Sequence, residues 1–121
     1  MRFITQKIHA FIDYPVALAL IGLPFLLQLG ISNPVAFYLS VITGVAAFFL
    51  TLLTDHETGL FKVVSYKFHL IVDFLVGLTF VIVPFLLGFE GIDLAFYLAN
   101  GLAVLIVVEM HKEEVAVIPA R

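Results

Sequence analysis

Four stretches of predominantly apolar residues fill this chain, and the segments between them are too short to form a second domain. They span about 8–29, 34–54, 67–87 and 94–110. Each is close to the roughly 20 residues a helix needs to cross a bilayer. Hydrophobic residues make up 63% of the 121, charged residues 12%, and mean hydropathy is +1.18. Soluble domains lie nearer about 45–50% and 25%, so lipid has to solvate most of this surface. The expected fold is all-α: a polytopic membrane four-helix bundle, one transmembrane domain over 1–121.

The breaks between the stretches carry turn chemistry. Gly30-Ile31-Ser32-Asn33-Pro34 reads as a helix stop followed by a start. Gly30 is expected to end helix 1, Asn33 to cap helix 2, and Pro34 to fit its first turn. Gly88 to Asp93 is the matching turn. Asp93 is expected to cap helix 4, and Glu90 and Asp93 to be solvated. Residues 60–66 read as an interfacial segment or an early start of helix 3, and 111–121 as a polar tail. Pro15, Pro24 and Pro84 lie inside apolar stretches and read as kinks, which membrane helices tolerate when neighbours satisfy the freed carbonyl. Ser40, Gly44, Thr51 and Asp55 form a small and polar stripe at helical spacing, the kind of surface on which membrane helices pack.

All six basic residues, Arg2, Lys7, Lys62, Lys67, Lys112 and Arg121, fall on one side of the membrane if the chain crosses four times. The opposite turns, 28–34 and 88–93, carry none. The positive-inside rule then puts both termini in the cytoplasm and the protein in the inner membrane as a multi-pass component.

The two halves match each other. Residues 7–29 align without gaps on 67–89, pairing Lys7 with Lys67, His9 with His69, Asp13 with Asp73, and Pro24-Phe25-Leu26-Leu27 with Pro84-Phe85-Leu86-Leu87. With one residue of slippage, Ala36-Phe37-Tyr38-Leu39 meets Ala95-Phe96-Tyr97-Leu98. Apolar residues match by chance, but a Lys, a His, an Asp and a Pro in register do not. Repeat 1 covers about 7–57 and repeat 2 about 67–112, two duplicated helical hairpins. Two hairpins entering from the same side imply a pseudo-two-fold axis along the membrane normal.

The run from His69 through Asp73, continuing Phe74-Leu75-Val76-Gly77-Leu78 and then Val83-Pro84-Phe85-Leu86-Leu87-Gly88-Phe89, resembles the SPW-repeat membrane proteins. That family is named for a Ser-Pro-Trp triplet following a helix that begins with His and Asp. Here the triplet is Leu23-Pro24-Phe25 and Val83-Pro84-Phe85, so the Pro is kept and the Ser and Trp are not. The resemblance spans both hairpins. It implies a small four-helix bacterial or archaeal membrane protein and carries no activity with it.

The chemistry-bearing residues gather at the cytoplasmic end. His9 and Asp13 open helix 1, Asp55, His56 and Glu57 close helix 2, His69 and Asp73 open helix 3, and Glu109 and His111 close helix 4. Four residues between His and Asp put both on one helix face. A carboxylate at the depth of Asp13 or Asp73 is costly toward lipid and should face the bundle interior. Two readings follow. In one, His9, Asp13, His69 and Asp73, with Asp55, His56, Glu109 and His111 in support, bind a divalent metal such as Zn, Fe or Mn, or relay protons. A haem between two His is a lesser variant. In the other, each Asp pairs with its own His or with Lys7 or Lys67 and pins a helix end, and the protein is a structural or accessory membrane subunit without a site of its own. Symmetric duplication favours the first, and the lack of a motif as specific as His-Glu-x-x-His favours the second. A small transporter or channel is a third reading, opposed by the absence of a polar ladder beyond Asp13 and Asp73.

There is no Cys, which removes disulfides, thiolate sites and cysteine nucleophiles. A net charge of −3 with no basic stripe gives no footprint for nucleic acid. Besides the bilayer, the expected partner is a second copy in a homodimer or larger membrane assembly.

Overall fold

The computed structural model of the protein describes the backbone of residues 6–54 and 63–117 and the side chains of 11–54 and 63–109. Four helices account for nearly all of it: α1 (Gln6–Leu26), α2 (Pro34–Leu53), α3 (Tyr66–Leu87) and α4 (Gly91–Val117). Helices α2 and α3, and α4 over Gly91–Glu109, are long and apolar enough to cross a membrane; the apolar run of α1 spans Phe11–Leu26. Large apolar side chains such as Phe11, Phe25, Phe49, Ile71, Phe85 and Ile106 are exposed, as a lipid-facing surface requires.

The helices pack as two antiparallel hairpins, α1 on α2 and α3 on α4. In the first, Gly44 lies against Ala17. A Cβ on Gly44 would stand 2.8 Å from the Ala17 carbonyl oxygen and 2.7 Å from Ile21. In the second, a Cβ on Gly101 would stand 3.0 Å from the Gly77 oxygen. Missing side chains let these backbones approach closely.

Both hairpins turn in the same way, and not where the sequence suggested. Helix α1 stops at Leu26, ahead of the expected 29. The amide of Leu29 donates to the Pro24 carbonyl (3.0 Å), with Gln28 left-handed at φ 53°. The amide of Phe89 donates to the Pro84 carbonyl (2.8 Å), with Gly88 left-handed at φ 71°. This six-to-one bond around a left-handed residue is the Schellman ending. It buries Leu29 and Phe89 in the core. Gly30 therefore does not stop helix 1; Gln28 takes the left-handed position.

Pro24 and Pro84 sit in or next to the last turn of their helices. Pro24 has no N–H for the Leu20 carbonyl, and the Ser40 hydroxyl of α2 donates there instead (2.8 Å, buried). Ala99 stands at the position corresponding to Ser40 in the second hairpin and has no hydroxyl to offer.

The hairpins meet at the turn end through an aromatic cluster and a buried carboxylate. Tyr97 is fully buried, stacks on Phe80 (centroids 4.4 Å, 17°), and meets Phe89 edge-on (4.9 Å). Its hydroxyl donates to the Ala36 carbonyl across the hairpins (2.7 Å). Asp93, expected as a solvated cap, is only 1% exposed. It lies inside the first turn of α4, which starts at Gly91 rather than near 94 and runs to Val117 rather than 110. Its Oδ1 accepts from the Gly30 amide (2.9 Å), and its Oδ2 accepts from the Ser32 amide (3.2 Å) and hydroxyl (2.6 Å). The Glu90 amide donates to the Ser32 hydroxyl oxygen (3.1 Å). Sequence spacing alone could not show that the carboxylate finds its donors in the other hairpin's turn.

Asp93→Ala leaves the Gly30 and Ser32 donors without their acceptor, and we expect it to cost about 2–4 kcal/mol. Ser40→Ala strands the Leu20 carbonyl, and we expect about 1–2 kcal/mol. Both are read from thermal unfolding in one detergent, where Ser32→Ala should fall between wild type and Asp93→Ala.

Candidate metal centre

At the other end of the bundle, three elements bring four polar side chains to one point. Asp13 comes from the second turn of α1. His69 and Asp73, four residues apart, come from the start of α3. Thr54 is the C-cap of α2.

The placement of His69 begins with local capping. Ser65 caps α3, its hydroxyl accepting from the Phe68 amide (3.1 Å), and its carbonyl accepts the His69 amide (3.1 Å). The preceding strand-like residues return beside the end of α2, where the Val64 amide donates to the Leu53 carbonyl (2.8 Å) and Thr54 bridges Val64. His69 is thereby buried against Thr54.

Thr54 then determines which ring nitrogen carries a proton. As the helix ends, the Thr54 amide turns to the Thr51 carbonyl (3.4 Å). The Leu50 carbonyl, which that amide would have satisfied, accepts the Thr54 hydroxyl instead (2.6 Å). A hydroxyl has one hydrogen to give. Its 2.7 Å contact with His69 Nδ1 is therefore one in which Thr54 accepts and Nδ1–H donates. In the neutral ring, Nε2 then presents a lone pair.

That lone pair faces two carboxylates. His69 Nε2 lies 3.4 Å from Asp13 Oδ2 and 3.3 Å from Asp73 Oδ2. Asp13 Oδ2 is closed off from solvent. Both distances exceed the roughly 2.7–2.9 Å of a charge-assisted hydrogen bond. They match the edge of a coordination polyhedron with bonds near 2.1 Å, which is about 3.0–3.4 Å for octahedral to tetrahedral geometry. One ligand atom from each residue lies within 4.8 Å of both others. Three electron-pair donors converging like this need positive charge beside them, from a proton, a cationic side chain or a metal ion.

Of the eight residues the sequence singled out, Asp13, His69 and Asp73 converge. Glu109 is exposed on α4 and is not among the converging ligands. His9 and His111 belong to helices whose backbone is described, but their side chains, like Asp55, His56 and Glu57 entirely, lie outside the described residues. Asp73 stands against its own His69 (3.3 Å), as expected; the pairing of Asp13 with His9 or Lys7 lies outside the described side chains, and His69 of the second hairpin also stands against Asp13 of the first (3.4 Å). Thr54 was missed as a site residue. Its signal was a hydroxyl on the last turn of α2, the turn that leads into Asp55 and His56.

No family model, curated protein or solved structure matches this chain.

Thr54→Val keeps the shape but removes the acceptor for Nδ1–H and the donor to Leu50. We expect it to cost about 1–3 kcal/mol in thermal unfolding, with Thr54→Ser recovering most of the loss.

Proposed function

We propose that this membrane protein binds one divalent cation per chain through His69 Nε2, Asp13 and Asp73. The observation that carries the reading is the Thr54 bond. It commits Nδ1 to donation and aims the Nε2 lone pair at the two carboxylates. Metal-bound histidines ordinarily donate their other N–H to an oxygen acceptor, which fixes the ring and its tautomer. Two carboxylates and a neutral imidazole also cancel the charge of a divalent ion, which suits a site with little water. One nitrogen and two oxygens select the borderline ions Zn, Fe(II) and Mn over soft Cu(I). Among the described residues, three side chains supply ligand atoms to the site.

The side of the membrane follows from charge. All six basic residues belong to the segments at this end of the hairpins, so the reading puts the site at the cytoplasmic side with four crossings. The work of such a site is metal handling or metal-assisted chemistry on a membrane-soluble molecule.

A second reading has one observation in its favour. Thr54 and Asp13 of the first hairpin both engage His69 of the second, so the cluster also ties the hairpins together. In that reading the protein is an accessory subunit and Nε2 carries a proton.

Elemental analysis of detergent-purified protein should find close to one Zn, Fe or Mn per chain. Asp13→Asn with Asp73→Asn should weaken Zn binding at least about 100-fold, and Thr54→Val about 10–100-fold although it touches no metal. Affinity should fall as pH falls, because protons compete for the ligand atoms. A metal content of zero that stays zero after incubation with Zn, in protein that unfolds cooperatively, leaves the accessory-subunit reading.

A further inference from the structure

A cavity of about 490 Å³ lies between the hairpins, with walls drawn from all four helices. Most of its wall is aliphatic, including Val16, Leu20, Val72, Val76 and Val104. The helix pairing sets its opening. Helix α1 packs on α2 and α3 on α4, so the α2 and α4 walls are not closed on each other. Ile42 and Ala46 of α2 and Ala103 of α4 line the cavity and are exposed, which puts its mouth between those two helices, on the lipid-facing surface. The volume lies within the roughly 300–1,000 Å³ typical of small-molecule pockets, which are mostly apolar with a few convergent polar groups.

Two polar side chains on this wall are not fully spent within the protein. Thr51, Thr54 and the exposed Thr79 each donate their hydroxyl to the carbonyl four residues back. Thr43 lines the cavity and makes no such bond, nor a hydrogen bond to any other described residue. Asn100 also lines it, and its Nδ2 donates to the Phe96 carbonyl (2.8 Å). A carbonyl only accepts, so that bond fixes which way the amide is turned. The second N–H and Oδ1 of Asn100 have no partner among the described residues. Thr43 stands at the middle of α2 (Pro34–Leu53), and Asn100 at the middle of the apolar span Gly91–Glu109 of α4. At that depth an unpaired polar group costs about 1–3 kcal/mol.

We infer that the cavity binds an aliphatic alcohol from the bilayer, its hydroxyl held by Asn100 and Thr43. Both side chains donate and accept, which a hydroxyl matches and an ether or ketone, accepting only, does not. Both are uncharged, and a charged head would be costly in mid-membrane beside them. Methylene groups gain little by leaving lipid for an aliphatic wall, so the hydrogen bonds carry the preference for this ligand. The inference does not rest on the metal reading. Thr43 and Asn100 are each eight residues, about 12 Å along a helix, from Thr51 and Val108 at the cluster end of the cavity.

The chain has two asparagines, Asn33 in the first turn and Asn100 on the cavity wall. Protein carrying nitrogen-15-labelled asparagine in lipid nanodiscs therefore gives two side-chain amide signals, one at the site and one as control. Added 1-dodecanol should move the Asn100 signal saturably and leave that of Asn33 in place. Dodecane should act at least about tenfold more weakly, and dodecyl methyl ether about three- to tenfold more weakly. Thr43→Val keeps the shape of the wall and should weaken dodecanol binding about three- to tenfold. Ala46 and Ala103 each follow the polar residue of their helix by three positions, on the same face. Ala46→Phe and Ala103→Phe should crowd the mouth and lower dodecanol affinity at least about tenfold. An Asn100 signal indifferent to dodecanol, or equally sensitive to dodecane, overturns the inference. So does a dodecanol response unchanged in Thr43→Val and both Phe variants. Ether acting as strongly as dodecanol overturns the hydroxyl head. Magnetisation transfer from water to the Asn100 amide that dodecanol does not displace assigns the two groups to water and overturns the alcohol. None of these results bears on the cation at Asp13, His69 and Asp73, which elemental analysis tests separately.

Discussion

Two hairpins whose helices touch mainly within each pair have to be joined at their ends, and the joint at the turn end is a buried carboxylate. Asp93 collects two amides and a hydroxyl from the opposite turn. A carboxylate so far from water is tolerable because these donors are aimed at it. The aromatic cluster around Tyr97 grows from the same place, and the Tyr97 bond to Ala36 adds a second crossing between the halves. The Schellman endings at Pro24 and Pro84 supply the geometry, because they bring Leu29 and Phe89 into that core.

The terminal end is built on different terms. There a cavity lies between the hairpins, and what crosses from one to the other is polar: Thr54 and Asp13 to His69. Dense aromatic packing at one end and a cavity at the other divide the bundle into an anchoring half and a half with room for a ligand. The consequence for His69 is chemical. Helix α2 ends at Leu53, and that ending frees the Leu50 carbonyl for the Thr54 hydroxyl, which fixes the imidazole tautomer. Ordinary helix-end bookkeeping of backbone groups therefore sets the electron pair at the candidate site.

Much of the architecture was legible because lipid enforces a simple code. Three apolar runs of spanning length and the shorter one of α1, broken by Gly, Pro and Asn, leave little choice but helices, since unsatisfied backbone is prohibitive in hydrocarbon. Within the site, Asp13, His69 and Asp73 stood out as ionisable residues inside apolar stretches, which have to face inward. Asp93 was misread because its donors lie about sixty residues away in sequence, and a turn position looks solvated until the opposing turn is placed. Gln28 was passed over for Gly30 because glycine is the usual left-handed residue, whereas the position was set by the backbone bond to Pro24. Thr54 resembled Thr51, whose hydroxyl bonds back into α2.

By itself, then, the sequence determined the helical class of this protein, its apolar surface and the residue types at its polar end, because hydropathy and burial cost are properties of segments. Only the tertiary structure decided which partners those residues take. Asp93 grips the other hairpin, and one histidine stands against the carboxylates of both. A chamber opens beside it. Those are relations between surfaces far apart in the chain, fixed by how two hairpins dock, and no local pattern encodes them.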